Sequence, residues 1–479
     1  MIGLPAIFIL LGYFLLLFVI SRLSASKSDA LTFFIANRNT PWPMVAYGMI
    51  GVAISGITFI SVPGQVQHTQ FAYFQMVIGY SIGLIIVAFL LLPIFYRIKA
   101  ISIYSYLGQR FGPAAHRTGS IFFIISQSFM ASVRLYLMAH VLQILIFSAL
   151  GLPFWVSVII TLLLIFFYTY RGGIKTVIIT DVLQTTLLIL AAIISIFIIS
   201  QKMNLSIVEL GEELSKRNLS DTFHWGWKDP NNFWKMIFAG IVLTVMSNGI
   251  DQAVMQKHLT CRTLWDSQKN LVTLALILLV VNLLFLFLGG ALFLYADAQA
   301  ITIPEKVDDL YPVISMNNLG SLGQITFILG IAAAAYSSAD SSLTGLTTSF
   351  CMDILKMDEQ ENNERLRKSV HFGFAILIFL FILFIEKFLD SSMLNVFIRV
   401  TGFVYGPLLS LFVFGLATKR TVSDQWILPI CILAPVLSLA LDLNSTTLLN
   451  GYVFGHEILI VVCGIAFLGL FLFSSKKTS

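Results

Sequence analysis

Charged residues are scarce in this sequence: only 11% of its 479 residues are Asp, Glu, Lys or Arg, against about 25% in a typical soluble domain. Hydrophobic residues make up 58%. A soluble protein of this composition could not cover its surface with polar groups, so much of the surface must face lipid. The net charge of +5 is scattered and forms no basic block, which excludes a nucleic-acid-binding surface.

Other features are also missing. There are four cysteines (Cys261, Cys351, Cys431 and Cys463), none at a spacing typical of metal ligands or redox pairs, so we interpret them as core residues. The sequence contains no phosphate-binding loop, so nothing in it suggests coupling to ATP. It also contains no nucleophile–base or metal-ligand pattern that would indicate an enzyme. We therefore predict no catalytic residues and no cofactor.

Long hydrophobic runs dominate what is present. A membrane-spanning helix needs about 20 mostly apolar residues, and thirteen segments are candidates. They run at about 3–21, 44–67, 73–96, 118–148, 152–170, 176–200, 233–256, 270–296, 321–351, 370–388, 392–417, 425–442 and 452–474. The first lacks a basic start and is followed by Arg22 and Lys27, which is typical of a retained span. The sequence thus predicts one all-α polytopic transmembrane domain over 1–479, embedded in a lipid bilayer.

Lysine and arginine predict the orientation. Alternate loops on one side carry 20 of the 29 basic residues, and the other side carries six. Because cytoplasmic loops are enriched in these residues, we predict an outer N-terminus and a cytoplasmic C-terminus, in the cell (inner or plasma) membrane.

Two spans are rich in small polar residues. The segment from Gly48 to Gly64 contains four glycines, three hydroxyl side chains and a proline, so its helix can open inside the membrane. Freed carbonyls are tolerated where they line a cavity or bind an ion. In the segment 332–342, residues Ala334, Ser337, Ser338 and Ser341 form one helical stripe, and hydroxyls with carbonyls suit Na⁺. Both patterns also fit close packing of helices through small residues.

Three charged residues lie within spans. Asp181 needs a cation, a partner or a proton, and Lys175 is near enough in sequence to pair with it. Arg134 needs an anion, carbonyls or water, and its planar fork suits a carboxylate; a structural ion pair is the alternative. Arg399 can extend outward to the membrane surface.

Several segments, taken together in order, resemble the sodium/solute symporter family. They are Phe33-Phe-Ile-Ala-Asn-Arg-Asn39, the Gly/Ser-rich second span, Pro93-Ile-Phe-Tyr-Arg97, Ser105-Tyr-Leu-Gly-Gln-Arg-Phe-Gly112, Tyr168-Thr-x-x-Gly-Gly173 with Thr180-Asp-x-x-Gln184, Asp251-Gln-Ala-Val-Met-Gln256, the serine cluster at 337–342, and Gly402…Gly406-Pro-Leu-Leu409…Lys419-Arg420. The resemblance implies a LeuT-like fold: a leading helix (about 3–21), two inverted five-helix repeats (about 44–200 and 233–417) and two trailing helices (about 425–474).

The resemblance also implies site residues. The common sodium site would use backbone oxygens of Gly51, Ile54 and Ala334 and the hydroxyls of Ser337 and Ser338. A second sodium site of some members corresponds to Asp181, Ser337, Asp340 and Ser341, where Asp340 departs from the family's serine.

The motifs look similar to those of the bacterial sodium/sialic acid symporters in the family. This likeness implies that Ser55, Thr58 and Arg134 contact substrate. The glutamine of that group falls at Val77 here, and Gln75 is nearby, so we include Gln75 among the candidates.

We therefore predict a sodium-coupled symporter that imports a small organic solute by alternating access, with a monomeric transport unit. An acidic solute such as a sialic acid or another carboxylate is favoured by Arg134. The alternatives are the same class of transporter for a neutral sugar, an amino acid, a monocarboxylate or an inorganic anion, or a transporter-like solute sensor. A channel is disfavoured because the polar residues form one centre and not a continuous pore.

Overall fold

A computed structural model describes residues 3–24, 36–99, 102–148, 150–356, 364–388 and 393–476. Within these ranges some side chains, among them those at 166–173, 175 and 340, lie outside the description. The first half contains the helices α1 Gly3–Ser24, α2 Trp42–Thr69, α3 Tyr73–Arg97, α4 Ser105–Phe111, α5 Pro113–Leu142, α6 Phe154–Met203 and α7 Ile207–Lys216. The last turns of α3 include a π-helical segment, Val87–Leu91.

The second half is also helical. It contains α8 Phe233–Gly249, α9 Gln252–His258, α10 Leu264–Ala298, α11 Leu310–Asn317, α12 Gly320–Ser349, α13 Glu364–Phe388, α14 Met393–Ala417, α15 Asp424–Leu443, α16 Ser445–Leu448 and α17 Ile458–Leu472. Two short strands, β1 Arg420–Val422 and β2 Ser474–Lys476, pair antiparallel, with Arg420 opposite Lys476.

Each of the thirteen predicted spans coincides with an apolar helix. In the described residues, nine helices are long and apolar enough to cross a bilayer, and the bent pair α8 and α9 makes a tenth. Three more apolar helices are shorter, at Phe8–Ile20, Phe154–Ile165 and Ile458–Leu472. The all-α membrane fold is therefore confirmed, and the number of thirteen crossings stays a prediction.

The predicted loop between the fifth and sixth spans was wrong as secondary structure. Helical backbone extends from Phe154 to Met203. The segment Arg-Gly-Gly-Ile-Lys at 171–175 was predicted to be a loop because it lies between two apolar runs. However, glycine costs a helix only about 1 kcal/mol, which neighbouring helical residues can offset.

Helix α2 is broken where the sequence predicts that it opens. Ser55 has φ 41° and ψ 174°, which is not helical and lies in the region that favours glycine. Glycines flank this residue at Gly51 and Gly56, and Pro63 follows. The break removes regular hydrogen bonds in the middle of a buried span and leaves backbone carbonyls available.

A second break separates α8 from α9, and the sequence analysis missed it. The two helices are bent by 74° across Ile250 and Asp251. Asp251 begins α9 as its N-cap: Oδ1 accepts from the backbone N–H of Ala253 at 2.8 Å and of Val254 at 3.2 Å. The two broken helices are therefore the first helices of the two predicted repeats. The repeat boundaries themselves remain a prediction.

Glycines allow α3 and α8 to touch backbone to backbone. A Cβ on Gly79 would lie 2.3 Å from the carbonyl oxygen of Ile237, and a Cβ on Gly240 would lie 2.2 Å from that of Met76. Real side chains do not fit at such distances, so only glycine permits this packing. Close approach through small residues is a main source of helix association in membranes, where the hydrophobic effect between helices is weak.

Candidate functional site

A cleft lies at the break in α2. Its polar lining comes from Ser55, Thr58, Tyr73, Tyr80, Arg134, Thr244, Ser247, Asn248 and Asn282. Leucines of α3, α8, α10 and α14 and the ring of Phe397 supply much of the apolar lining. About 780 Å³ of space not filled by protein atoms lies within the cleft, and this figure includes space open to solvent.

Arg134 faces this cleft from α5. Its side chain is 8% exposed, and its guanidinium carbon lies 5.1 Å from the centre of the Phe397 ring. Its Nε has no hydrogen-bond partner, and no carboxylate of the described residues lies within salt-bridge distance. A buried guanidinium is costly when it lacks an anion. The structural ion pair considered for Arg134 is therefore absent from the described part of the chain.

The carboxylate that faces Arg134 electrostatically, Asp251, is already engaged. Its Oδ1 caps α9, and its Oδ2 accepts from the hydroxyl of Tyr405 at 2.8 Å. Asp251 therefore acts on Arg134 through space and makes no direct salt bridge with it. This leaves the face of the guanidinium that lies in the cleft available for an anionic ligand.

Ser55 and Thr58, which the resemblance assigns to substrate, line the same cleft as Arg134. A Cβ on Gly56 would lie 3.8 Å from the carbonyl oxygen of Arg134 and 3.9 Å from Cα of Ala335. The break in α2, the helix of Arg134 and the small-residue segment of α12 therefore meet at one place. The sequence predicted these residues separately, and the fold brings them together.

Gln75 is not among the residues that line the cleft. Its amide Nε2 donates to the carbonyl oxygens of Ala72 and Asn231, at 3.2 Å and 2.9 Å, and its Oε1 accepts from the N–H of His224 at 3.1 Å. The fully buried side chain thus ties the start of α3 to the segment that precedes α8. We therefore do not retain Gln75 as a substrate residue.

Several lining residues were missed by the sequence analysis. The hydroxyl groups of Tyr73 and Tyr80 are 3.3 Å apart, and Asn248 Nδ2 donates to Ser247 Oγ at 3.1 Å. Asn282 is a polar residue inside the most apolar of the long helices, and that isolation is a signal that could have identified it. The tyrosines carry no such signal, because aromatic residues are common throughout the chain.

The predicted sodium ligands lie in α2 just before the break at Ser55 and in the middle of α12. A Cβ on Gly51 would lie 2.5 Å from Thr185 Oγ1 and 3.3 Å from Ser337 Oγ, so the backbone of α2 reaches the serine cluster directly. The N–H of Gly51 donates to Thr185 Oγ1 at 3.0 Å. Ser337 and Ser338 are completely buried. The structure therefore brings Gly51 beside Ser337.

The serine hydroxyls of α12 differ in their partners. Ser338 donates to the carbonyl oxygen of Ala335 at 3.1 Å, and Ser341 donates to that of Ser337 at 3.0 Å, both within their own helix. Ser337 instead donates to Asp181 Oδ1 at 2.7 Å. A packing seam of serines bonded only to their own backbone therefore does not describe this cluster.

Asp181 pairs with Lys257. The ammonium of Lys257 lies 2.5 Å from Asp181 Oδ2, and the two side chains are 0% and 1% exposed. Lys257 was placed in a cytoplasmic loop because the apolar run ends near it, whereas α9 carries it into the protein. The side chains of Lys175 and Asp340, the latter predicted for a second sodium site, lie outside the described residues.

Arg399 lies apart from the cleft. Its guanidinium is about half exposed and lies 3.2 Å from Asp442 Oδ2. Its predicted extension to the outer surface of the membrane stays a prediction.

The segment 102–111, predicted to be cytoplasmic, covers the break between α8 and α9. The hydroxyl of Tyr104 donates to the carbonyl oxygen of Ile250 at 2.8 Å, and the N–H of Ile103 donates to Gln252 Oε1 at 2.9 Å. Ser102 donates to the buried Asp353 at 2.9 Å. These contacts tie the segment 102–111 to the start of α9 and to Asp353.

Comparisons with known proteins agree with this geometry. The sequence model of the sodium:solute symporter family matches residues 33–424. The sodium/sialic acid symporter NanT of Aliivibrio fischeri is 27% identical over 460 residues, which cover 91% of this chain and 87% of that protein. The sodium-coupled monocarboxylate transporter 1 of Mus musculus is 25% identical over 401 residues, which cover 80% of this chain and 64% of the transporter.

A solved structure has a similar fold. The substrate-bound outward-open state of a Na⁺-coupled sialic acid symporter aligns with a TM-score of 0.84 and 20% sequence identity, covering 99% of this chain and 100% of that one. A nucleobase-cation-symport-1 family transporter aligns with a TM-score of 0.57 and 14% identity, covering 94% of this chain and 95% of that one.

Proposed function

The chain belongs to the sodium:solute symporter family, and from that premise we propose that it imports an acidic organic solute, such as a sialic acid, together with Na⁺. The observation that carries the choice of an acid is Arg134. A buried guanidinium that lines a cleft, with no salt bridge to any carboxylate that the structure describes, is suited to hold a solute carboxylate by two parallel hydrogen bonds. Ser55 and Thr58 lie beside it and supply hydroxyl groups to the same solute.

The cleft has polar groups on the side contributed by α8 and α10 as well. Thr244, Ser247, Asn248 and Asn282 offer neutral hydrogen-bond donors and acceptors. A polyhydroxylated acid with an amide, such as a sialic acid, can use these groups at a distance from its carboxylate. This distribution of one cation and several neutral groups supports a sugar acid.

A second candidate substrate is a short monocarboxylate. The similarity to a monocarboxylate transporter and the apolar part of the lining favour it. Arg134 would hold the carboxylate in the same way, while the leucines and Phe397 would contact a short aliphatic tail.

The proposed sodium site uses the backbone oxygens of Gly51, Ile54 and Ala334 and the hydroxyls of Ser337 and Ser338. Sodium bound there would fix the inner half of α2 against α12. Because Ser55 and Thr58 follow directly in α2, the ion would complete the solute site, which is a direct route to coupling.

Alternating access would then require the contacts of the segment 102–111 with the start of α9 to open. The hydrogen bonds of Ser102, Ile103 and Tyr104 are the described contacts that would break when the site faces the cytoplasm. Each Na⁺ that enters gains about 2.3 kcal/mol per 100 mV of membrane potential, and a tenfold sodium gradient adds about 1.4 kcal/mol. We propose that the N-terminus lies outside, the C-terminus lies in the cytoplasm and one chain forms the transport unit.

Thermal unfolding of the purified protein in detergent tests the proposal. We expect Na⁺ to raise the unfolding temperature relative to K⁺, and one acidic solute to raise it further only in Na⁺. A ligand at 100 times its dissociation constant stabilises by about 2.7 kcal/mol. The panel comprises N-acetylneuraminic acid, short monocarboxylates, neutral sugars and amino acids. Equal unfolding temperatures in Na⁺ and K⁺ with every solute would contradict sodium coupling. Stabilisation by a neutral sugar alone would contradict the proposal that the substrate is an acid.

A further inference from the structure

The buried pair of Asp181 and Lys257 lies directly beside the proposed sodium ligands, and the transport mechanism above does not use it. We propose that the Lys257 ammonium is a tethered cation that takes the place of a second Na⁺, so that the protein binds one Na⁺ per transport cycle. This inference rests on the proposed sodium-coupled function and specifies its ion stoichiometry.

Both oxygens of the Asp181 carboxylate are occupied. Oδ2 accepts from the Lys257 ammonium at 2.5 Å, and Oδ1 accepts from the Ser337 hydroxyl at 2.7 Å. A sodium ion at this carboxylate would have to share an oxygen with one of these donors and would lie close to the ammonium. The ammonium cannot move into solvent within this conformation, because Lys257 is completely buried.

Charge balance leads to the same conclusion. Asp181 and Lys257 together are neutral, and the other proposed sodium ligands are neutral carbonyls and hydroxyls. Among the side chains that the structure describes here, a first Na⁺ therefore brings the only uncompensated positive charge. A second Na⁺ at Asp181 would add another positive charge beside the ammonium, which is strongly unfavourable in a buried, low-dielectric site.

Replacing Lys257 with a neutral residue would leave the negative charge of Asp181 uncompensated. A buried carboxylate without a counter-charge needs a cation or a proton. With Lys257 replaced by a neutral side chain, Asp181 would present a free anionic oxygen next to Ser337. The same position would then attract Na⁺.

The pair also orients the first site. An ionised carboxylate only accepts hydrogen bonds, so the Ser337 hydroxyl must direct its proton to Asp181. The lone pairs of Ser337 Oγ then point away from Asp181 and are available to an ion near Gly51. Asp181 is therefore a positioning residue for the single Na⁺, and Lys257 keeps its carboxylate neutralised.

Equilibrium binding of ²²Na⁺ to the purified full-length protein measures the stoichiometry without a solute. We expect one ion per wild-type chain at saturation and two in Lys257→Met, in which the side chain keeps its length and loses its charge. Adding Asp181→Asn to that variant should restore one ion. Lys235→Met is the matched control: Lys235 is also buried, 3.8 Å from Glu457, and its replacement should leave one ion bound.

The outcomes separate the two proposals. Two ions on the wild-type chain, or one ion on a folded Lys257→Met, would overturn the tethered-cation inference and leave sodium coupling in place. No bound ion on the wild-type chain would overturn the sodium-coupled function itself. If Lys257→Met does not fold, Lys257→Gln provides the same test, because it removes the charge and retains an N–H donor for Asp181.

Discussion

Replacing Arg134 with Gln is expected to abolish high-affinity binding of the acidic solute while leaving Na⁺ binding intact. The guanidinium lines the cleft without an ion-pair partner in the described residues, so a solute carboxylate would be its counter-charge. Losing one partner of a desolvated charge pair costs at least about 2 kcal/mol, a roughly 30-fold or greater loss of affinity. Solute titrations followed by thermal unfolding in Na⁺ measure the loss.

Two further variants sharpen this prediction. Arg134→Lys keeps the charge but loses the planar fork, so an intermediate affinity is expected. Arg399→Gln is the control, because Arg399 is about half exposed and pairs with Asp442 away from the cleft; its solute affinity should match the wild type. Unchanged affinity in Arg134→Gln for the transported solute would show that the solute is not held by its carboxylate.

Replacing Ser338 with Ala is expected to weaken Na⁺ binding with little effect on folding. Ser338 is completely buried, and its hydroxyl donates to the carbonyl of Ala335 within its own helix, so its lone pairs remain available to an ion. Hydrogen bonds and similar polar contacts to a charged group contribute about 1.5–3 kcal/mol, which corresponds to a roughly ten- to hundredfold loss of Na⁺ affinity. The Na⁺ dependence of the unfolding temperature measures this loss.

The matched control for Ser338 is Ser438→Ala. Ser438 is also completely buried and donates only to the carbonyl of Ala434, four residues before it in α15, at 2.8 Å. Its loss should lower stability by a similar amount without changing the Na⁺ dependence. An identical Na⁺ affinity in wild type and Ser338→Ala would remove Ser338 from the sodium site.

The sequence predicted which helix opens at this site, but it did not predict which side chains pair with one another there. Glycines and hydroxyl residues around Ser55 indicated a helix that opens, and the structure breaks α2 at that residue. The bend at Asp251 was missed because the predicted span 233–256 was drawn across the polar segment Ser247-Asn-Gly-Ile-Asp-Gln252. In the structure, the side-chain cap that Asp251 makes to Ala253 and Val254 marks the start of α9.

Long-range contacts account for the remaining errors. Lys257 follows an apolar run, so its sequence position indicated a cytoplasmic loop. Its partner Asp181 lies 76 residues away in sequence, and no local pattern connects them. Gln75 was a candidate because it lies two residues before Val77, the position of the glutamine in similar symporters. Its hydrogen-bond partners Asn231 and His224, however, come from the segment before α8. Pairings of this kind depend on how helices meet, which periodicity does not encode.

Solute uptake into proteoliposomes tests the central claim most directly. Vesicles containing the purified protein are diluted into Na⁺ or K⁺ buffer with radiolabelled N-acetylneuraminic acid or short monocarboxylates. Sodium-coupled symport predicts that one acid accumulates above its external concentration only with an inward Na⁺ gradient, and that Arg134→Gln abolishes the accumulation. Uptake that is equal in Na⁺ and K⁺, or no accumulation of any acid in the panel, would contradict the account.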